Sequence, residues 1–180
     1  MRSAAILAGG QATRFGGQDK GALLVDGRTI RDRQIAELSR VTSDILVVAR
    51  DLVPGCGPLG GLHTALTEAR GDAVFVVACD MPFIDAPFVE YLLDLTCEAD
   101  LVVPRTERGY HPLCAAYTRA CLAAVGRRLA ERRLKMTDLF ADVRTRVVTS
   151  EEIDRFGDRN RLLANVNTQA EYAGIQNHKP

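Results

Sequence analysis

Short apolar runs alternate along this chain with stretches in which apolar residues recur at helical spacing. Ala4–Leu7 is a compact apolar run and predicts a first strand. Thr29–Arg40 sets Ile30, Gln34, Ile35 and Leu38 on one face and predicts a helix. Ile45–Ala49 predicts a second buried strand. Asp51–Pro58, with two prolines and two glycines, predicts a loop, and Leu59–Ala69 a helix entered through Gly57-Pro58. Val74–Ala78 is uniformly apolar, as a central parallel strand is, and Asp80-Met81-Pro82 breaks it. Ala86–Leu95 predicts a helix with Asp85 as its N-cap. Further on, Leu101–Val103, Leu113–Ala116 and Arg146–Val148 read as strands and Arg119–Arg132 as a helix. Thr137–Phe140 reads as a small helical piece, and an irregular polar stretch leads to a last helix near Gln169–Ala173.

Such alternation predicts an α/β fold with a mainly parallel sheet, and the 180 residues suit one domain. In open α/β sheets ligands sit outside the carboxyl ends of the strands. The segment after Leu7, the Asp51–Pro58 loop and Asp80 all come directly after strands, so they are expected to gather at one edge. A helix entered through Gly57-Pro58 turns its positive end toward the same edge.

Composition narrows the function. Basic and acidic side chains balance at 23 each, which argues against a nucleic-acid partner. Arg127-Arg128 and Arg132-Arg133 are expected on a solvated helix face. No apolar run is long enough to cross a membrane, and Met1-Arg2-Ser3 leads straight into a strand. Neither leader nor membrane segment is expected, and the expected compartment is the cytoplasm. Five cysteines, odd in number and without a C-x-x-C pair, read as reduced and mostly buried thiols. His63, His111 and His178 are too scattered to suggest a metal cluster.

The densest chemistry comes after the first strand, in Leu7-Ala8-Gly9-Gly10-Gln11-Ala12-Thr13-Arg14-Phe15-Gly16-Gly17-Gln18-Asp19-Lys20. Glycines allow a backbone to turn sharply and approach a ligand, and successive N–H groups make an anion site. Arg14 and Lys20 add full charges, so the loop is suited to gripping a polyphosphate. Asp19 precedes Lys20 and Gly21 comes next, which excludes a Walker A loop, and the glycine register excludes a dinucleotide fingerprint. Asp80, at the end of a buried strand, needs a hydrogen bond, an ion pair or a metal. Mg²⁺ takes one or two carboxylates together with substrate phosphates and waters.

From Leu7 to Lys20 the loop resembles the signature of the molybdenum cofactor guanylyltransferase family, within the Rossmann-like nucleotidyltransferases. That resemblance implies a single-domain, three-layer α/β sandwich. It also implies transfer of GMP from Mg-GTP to the phosphate of molybdenum-loaded molybdopterin, with release of pyrophosphate. Arg14, Lys20 and Asp80 then fall in catalytic positions, with Asp80 on Mg²⁺. Leu7, Ala8, Gly9, Gly10, Lys20, Asp51, Gly57, Pro58, Leu59 and Asp80 fall in nucleotide-binding ones. Asp-Met-Pro at 80–82, Gly-Pro-Leu-Gly-Gly at 57–61 and Asn-Val-Asn-Thr at 165–168 are similar to further family segments. So is His111-Pro112, and His111, Asn165 and Asn167 are implied on the acceptor side or around the metal. Implied partners are GTP, molybdopterin, and apo-molybdoenzymes or the chaperones that load them. The chain has only six residues between Arg50 and Gly57, where relatives carry a longer stretch, and Val48 stands where they tend to have asparagine. A CTP- or sugar-phosphate-using relative and a non-catalytic nucleotide-binding module remain alternatives.

Overall fold

The computed structural model describes residues 1–9, 20–166 and 172. In chain order the elements are Arg2–Leu7 (β1), Leu24–Val25 (β2), Arg28–Thr29 (β3), Ile30–Leu38 (α1), Ile45–Val48 (β4), Gly57–Glu68 (α2) and Ala73–Ala78 (β5). Then come Ala86–Asp94 (α3), Leu101–Thr106 (β6), Gly109–Tyr110 (β7), Cys114–Thr118 (β8), Cys121–Ala130 (α4), Thr145–Val148 (β9), Ser150–Ile153 (α5) and Arg159–Leu162 (α6).

One sheet runs in the order β4-β1-β5-β8-β6-β7, with β9 also on β6. β1 pairs in parallel with β4 and β5, and β6 with β9, whereas β8 lies antiparallel between β5 and β6. Strand alternation divides the core into two layers. Ala5, Leu7, Val74, Val76, Ala115 and Tyr117 face α2 and α4. Ala4, Ile6, Phe75, Val77, Cys114 and Ala116 face α1 and α3. The sandwich therefore has three layers, as expected.

Local signals set most helix starts. The Thr29 hydroxyl accepts from Asp32 N at 3.0 Å and the Asp85 carboxylate from Phe88 N at 3.0 Å, which satisfies otherwise open donors of α1 and α3. Several expectations need correction. α2 begins at Gly57, so Gly57 and Pro58 are its first turn and not a loop before it; proline suits that position because its missing N–H is not needed there. The β2–β3 hairpin was unforeseen, although its turn, Asp26-Gly27, has φ of 51° and 78° and is a strong hairpin dipeptide. Arg128 is not on a solvated face: it is buried, and its Nε meets Asp142 at 2.7 Å. The polar stretch after β9 holds α5, closed by a capping box between Thr149 and Glu152, and α6. The expected helix at Gln169–Ala173 lies outside the described residues, Tyr172 apart. All five cysteines are free thiols, three of them buried. Among the described residues no helix is long and apolar enough to cross a membrane.

Candidate active site

The carboxyl ends of β4, β1 and β5 lie side by side, and the segments leaving these three strands meet there. After β1 the chain is pinned: Ala8 N and Gly9 N both donate to Val48 O at 2.9 Å, and Leu7 O accepts from Cys79 N at 3.2 Å. The N–H groups of Ala8 and Gly9 are thus spent on the sheet, which leaves that stretch carbonyls, not donors, for a ligand. Gly10 and Arg14 lie outside the described residues.

Asp80 leaves β5 in a tight turn, with Met81 N donating to Ala78 O. Lys20 Nζ stands 3.0 Å from its Oδ2, and Asn165 Nδ2 is 3.4 Å from its Oδ1. Val166 N donates to Asp80 O at 2.8 Å, which ties the C-terminal segment to the same turn. Both members of the ion pair are largely shielded, with 17% of the Lys20 side chain and 12% of the Asp80 side chain exposed. A carboxylate, a primary amine and a carboxamide thus meet from positions 20, 80 and 165. Hard oxygen ligands, one charged and one from an amide, are the kind of donor set Mg²⁺ accepts. Among the described residues no group of three or more His, Cys, Asp or Glu side chains forms a fuller cage. Asn167 lies outside the described residues.

Asp51 occupies a second place on this edge. A Cβ built on Gly9 or Gly61 would lie 3.5 Å from its Oδ1, and one on Gly60 3.2 Å from its Oδ2. The carboxylate thus nests where three glycines leave room. Gly60 has the strictest requirement, since its added Cβ would also come within 2.9 Å of Val53 O. Leu52 N donates to Thr64 Oγ1 at 2.8 Å and so clips the loop onto α2. Burial pushes the Asp51 carboxyl above the usual range, and among the described residues nothing donates to it. α2 lacks a side-chain cap at Cys56, so its positive end adds to the field here.

His111 sits further along the edge. Leu113 O accepts from Ala78 N at 2.9 Å, which brings the His111–Leu113 segment beside β5. His111 Nε2 is 2.9 Å from Thr106 Oγ1. Burial, with Arg108 nearby, holds the imidazole below its usual pKa, so it is neutral at pH 7.

Sequence reasoning missed the brace beneath Asp80. Gln34, fully buried on α1, donates through Nε2 to Ala78 O at 2.8 Å and Met81 O at 2.9 Å. The clue was a glutamine inside the apolar stripe of that helix. Arg33 was missed as well; it joins Pro82 O to Val25 O, each at 3.2 Å, and so fastens the hairpin to the Asp80 turn.

Comparison with known proteins decides the family. The profile of the MobA-like NTP transferase domain matches residues 4–145. The chain belongs to that family. It is 31% identical to the molybdenum cofactor guanylyltransferase of Desulfosudis oleivorans, over 92% of this chain and 90% of the relative. Its fold matches that of molybdopterin-guanine dinucleotide biosynthesis protein A from Archaeoglobus fulgidus, with a TM-score of 0.78 at 20% identity, covering 98% and 97% of the two chains. It also matches 2-C-methyl-D-erythritol 4-phosphate cytidylyltransferase from Thermus thermophilus, with a TM-score of 0.68 at 16% identity and 98% of each chain covered. The chain is a nucleotidyltransferase enzyme of the Rossmann-like type, and its place is in molybdenum cofactor biosynthesis.

Proposed function

We propose that this chain, as a single cytoplasmic domain, transfers GMP from GTP to the terminal phosphate of molybdenum-loaded molybdopterin. The observation that carries this reading is the meeting of Lys20, Asp80 and Asn165 at the carboxyl ends of the central strands. An acceptor phosphate oxygen attacks the α-phosphorus, the bond to the β-phosphate breaks, and pyrophosphate leaves. Both reactants are anionic, so positioning and charge neutralisation dominate the catalysis. The acceptor is already a nucleophile at neutral pH, and neither a base nor a covalent enzyme intermediate is required.

In this scheme Arg14 and Lys20 hold the triphosphate, with Lys20 leaving Asp80 to track the α-phosphate. Asp80, helped by Asn165 and Asn167, holds Mg²⁺, which when bound neutralises phosphate charge. Leu7, Ala8, Gly9 and Gly10 line the nucleotide, and Gly57, Pro58 and Leu59 present the start of α2 to it. The Asp51 carboxylate, its pKa raised by burial, accepts from the N–H groups of guanine. His111 lies toward the pterin. Apo-molybdoenzymes or their loading chaperones receive the product.

The deciding experiment measures pyrophosphate release with molybdenum-loaded molybdopterin and each of GTP, CTP, ATP and UTP. Release with GTP alone is expected. Release with CTP in its place removes the guanine assignment, and silence with all four from folded, nucleotide-binding protein removes the pterin acceptor.

A further inference from the structure

β4 ends the sheet, with β1 on its inner side and no strand on its outer side among the described residues. Asp44 O accepts from Ala4 N, and Val48 O from Ala8 N and Gly9 N. Asp44, Leu46 and Val48 therefore turn their backbone groups inward. By strand alternation Ile45 and Val47 turn theirs outward, as a row of donors and acceptors open to another strand. Ile45-Leu46-Val47-Val48 contains no proline, charge or glycine to blunt this edge. The Val47 side chain is 43% exposed.

We infer that the outer edge of β4 pairs antiparallel with the same edge of a second copy, about a two-fold axis through Val47. The register is set by which groups face outward. Val47 opposite Val47 exchanges two hydrogen bonds, and Ile45 stands opposite Ala49 of the other copy. Side chains of these residues share one face, and Ile45 already packs into the core layer beneath α1 there. The apolar residues of the two copies thus meet each other. On the opposite face Asp44 comes beside Arg50 of the second copy. Asp44 Oδ2 is engaged within its own chain, with Ser3 Oγ at 2.5 Å and Arg70 N at 2.9 Å. Its Oδ1 has the exposed Arg70 guanidinium at 3.8 Å, and Arg50 is itself exposed. Shifting the register by two residues one way sets Asp44 against Val48, and the other way sets Ile45 against Asp51. Only the register centred on Val47 matches charge with charge and apolar with apolar.

An edge of four residues buries less than the ~1,200 Å² at which standard stable interfaces begin. The result is a reversible dimer that dissociates on dilution. It also reaches the nucleotide loop, since the Val48 carbonyl that pins Ala8 and Gly9 belongs to the paired strand.

Sedimentation velocity over a dilution series of the full chain tests this. The wild type is expected to pass from dimer to monomer, with Val47→Lys and Arg50→Glu each raising the dissociation constant at least tenfold. Val47 is exposed, so the thermal melt of Val47→Lys should be unchanged; if that variant unfolds, Arg50→Glu still decides. A second measurement is mild oxidation of Val47→Cys in a Cys97→Ser background. Cα atoms about 5.5 Å apart in a hydrogen-bonded pair lie within disulfide reach, so a linked dimer is expected. A single-chain mass at every concentration overturns the inference. So does a dimer that neither charge substitution weakens and that Val47→Cys does not link.

Discussion

Two aspartates share the carboxyl edge of this sheet, and their surroundings differ sharply. Asp80 is met by a lysine ammonium and an asparagine amide, and its own carbonyl is tied to Val166. Asp51 lies among glycines, with burial raising its pKa and nothing among the described residues donating to it. A carboxylate already balanced by a cation suits a place where phosphate and metal exchange partners. One left short of donors suits a ligand that brings its own N–H groups. The contrast teaches that two carboxylates on one sheet edge can be held in opposite electrostatic settings by varying only what surrounds them.

The largest test breaks the paired site. Asp80→Asn keeps the shape of the side chain and removes its charge, and transfer is expected to fall by about 10³-fold or more. Steady-state pyrophosphate release measures this, and near-normal turnover would take Asp80 out of the chemistry. Asp51→Asn sharpens the other half of the comparison. It should cut kcat/KM for GTP by about 10–100-fold, the worth of a hydrogen bond to a charged acceptor. The same change should raise the melting temperature slightly at neutral pH. A carboxyl whose folded pKa is raised favours the folded state least once pH has risen through that pKa, because the charge must then be buried. A variant that melts lower and binds GTP normally would refute both parts.

Gly60→Ala comes next. Its Cβ would meet Val53 O at 2.9 Å and Asp51 Oδ2 at 3.2 Å, so the loop must move. A loss of about 1–3 kcal/mol in denaturant unfolding is expected, with a higher KM for GTP. The smallest effect concerns a paired carboxylate away from the site. Burial alone would raise the pKa of Glu152, but Arg146, the Thr149 N–H and the Tyr91 hydroxyl outweigh it and bring it down to about 2. Its folded pKa is depressed, so its stabilisation is complete above the ordinary carboxylate range and is lost as pH falls toward 2. Glu152→Gln should cost about 1–2 kcal/mol at pH 7, allowing for partial solvent screening, and the difference from wild type should vanish in acid melts.

Much of this architecture was legible in the residues. β1, β4 and β5 lie on the apolar runs that predict them, and Asp85 caps α3 as its position implied. What escaped notice was short or tertiary. The β2–β3 hairpin has two residues per strand, too few to show a period of two, and only its Asp-Gly turn marked it. Gln34 passed as one more residue of a helical stripe, since its purpose is to satisfy carbonyls more than 40 residues away. Arg128 read as solvated because its partner, Asp142, lies beyond the end of its own helix.

The sequence by itself determined the main strands and helices and the layers they form, because strand and helix periods are local properties of the chain. It also marked Lys20, Asp51, Asp80 and Asn165 as residues placed just beyond apolar runs or in motifs. Only the tertiary structure decided which of them meet. The order β4-β1-β5 sets strands from three parts of the chain side by side, which closes the distance from Lys20 to Asp80 and from Asp80 to Asn165. The same order leaves β4 at the edge and Asp51 within the glycine nest. Proximity across a sheet depends on strand order, and strand order is settled by packing both faces at once, which no local stretch of sequence records.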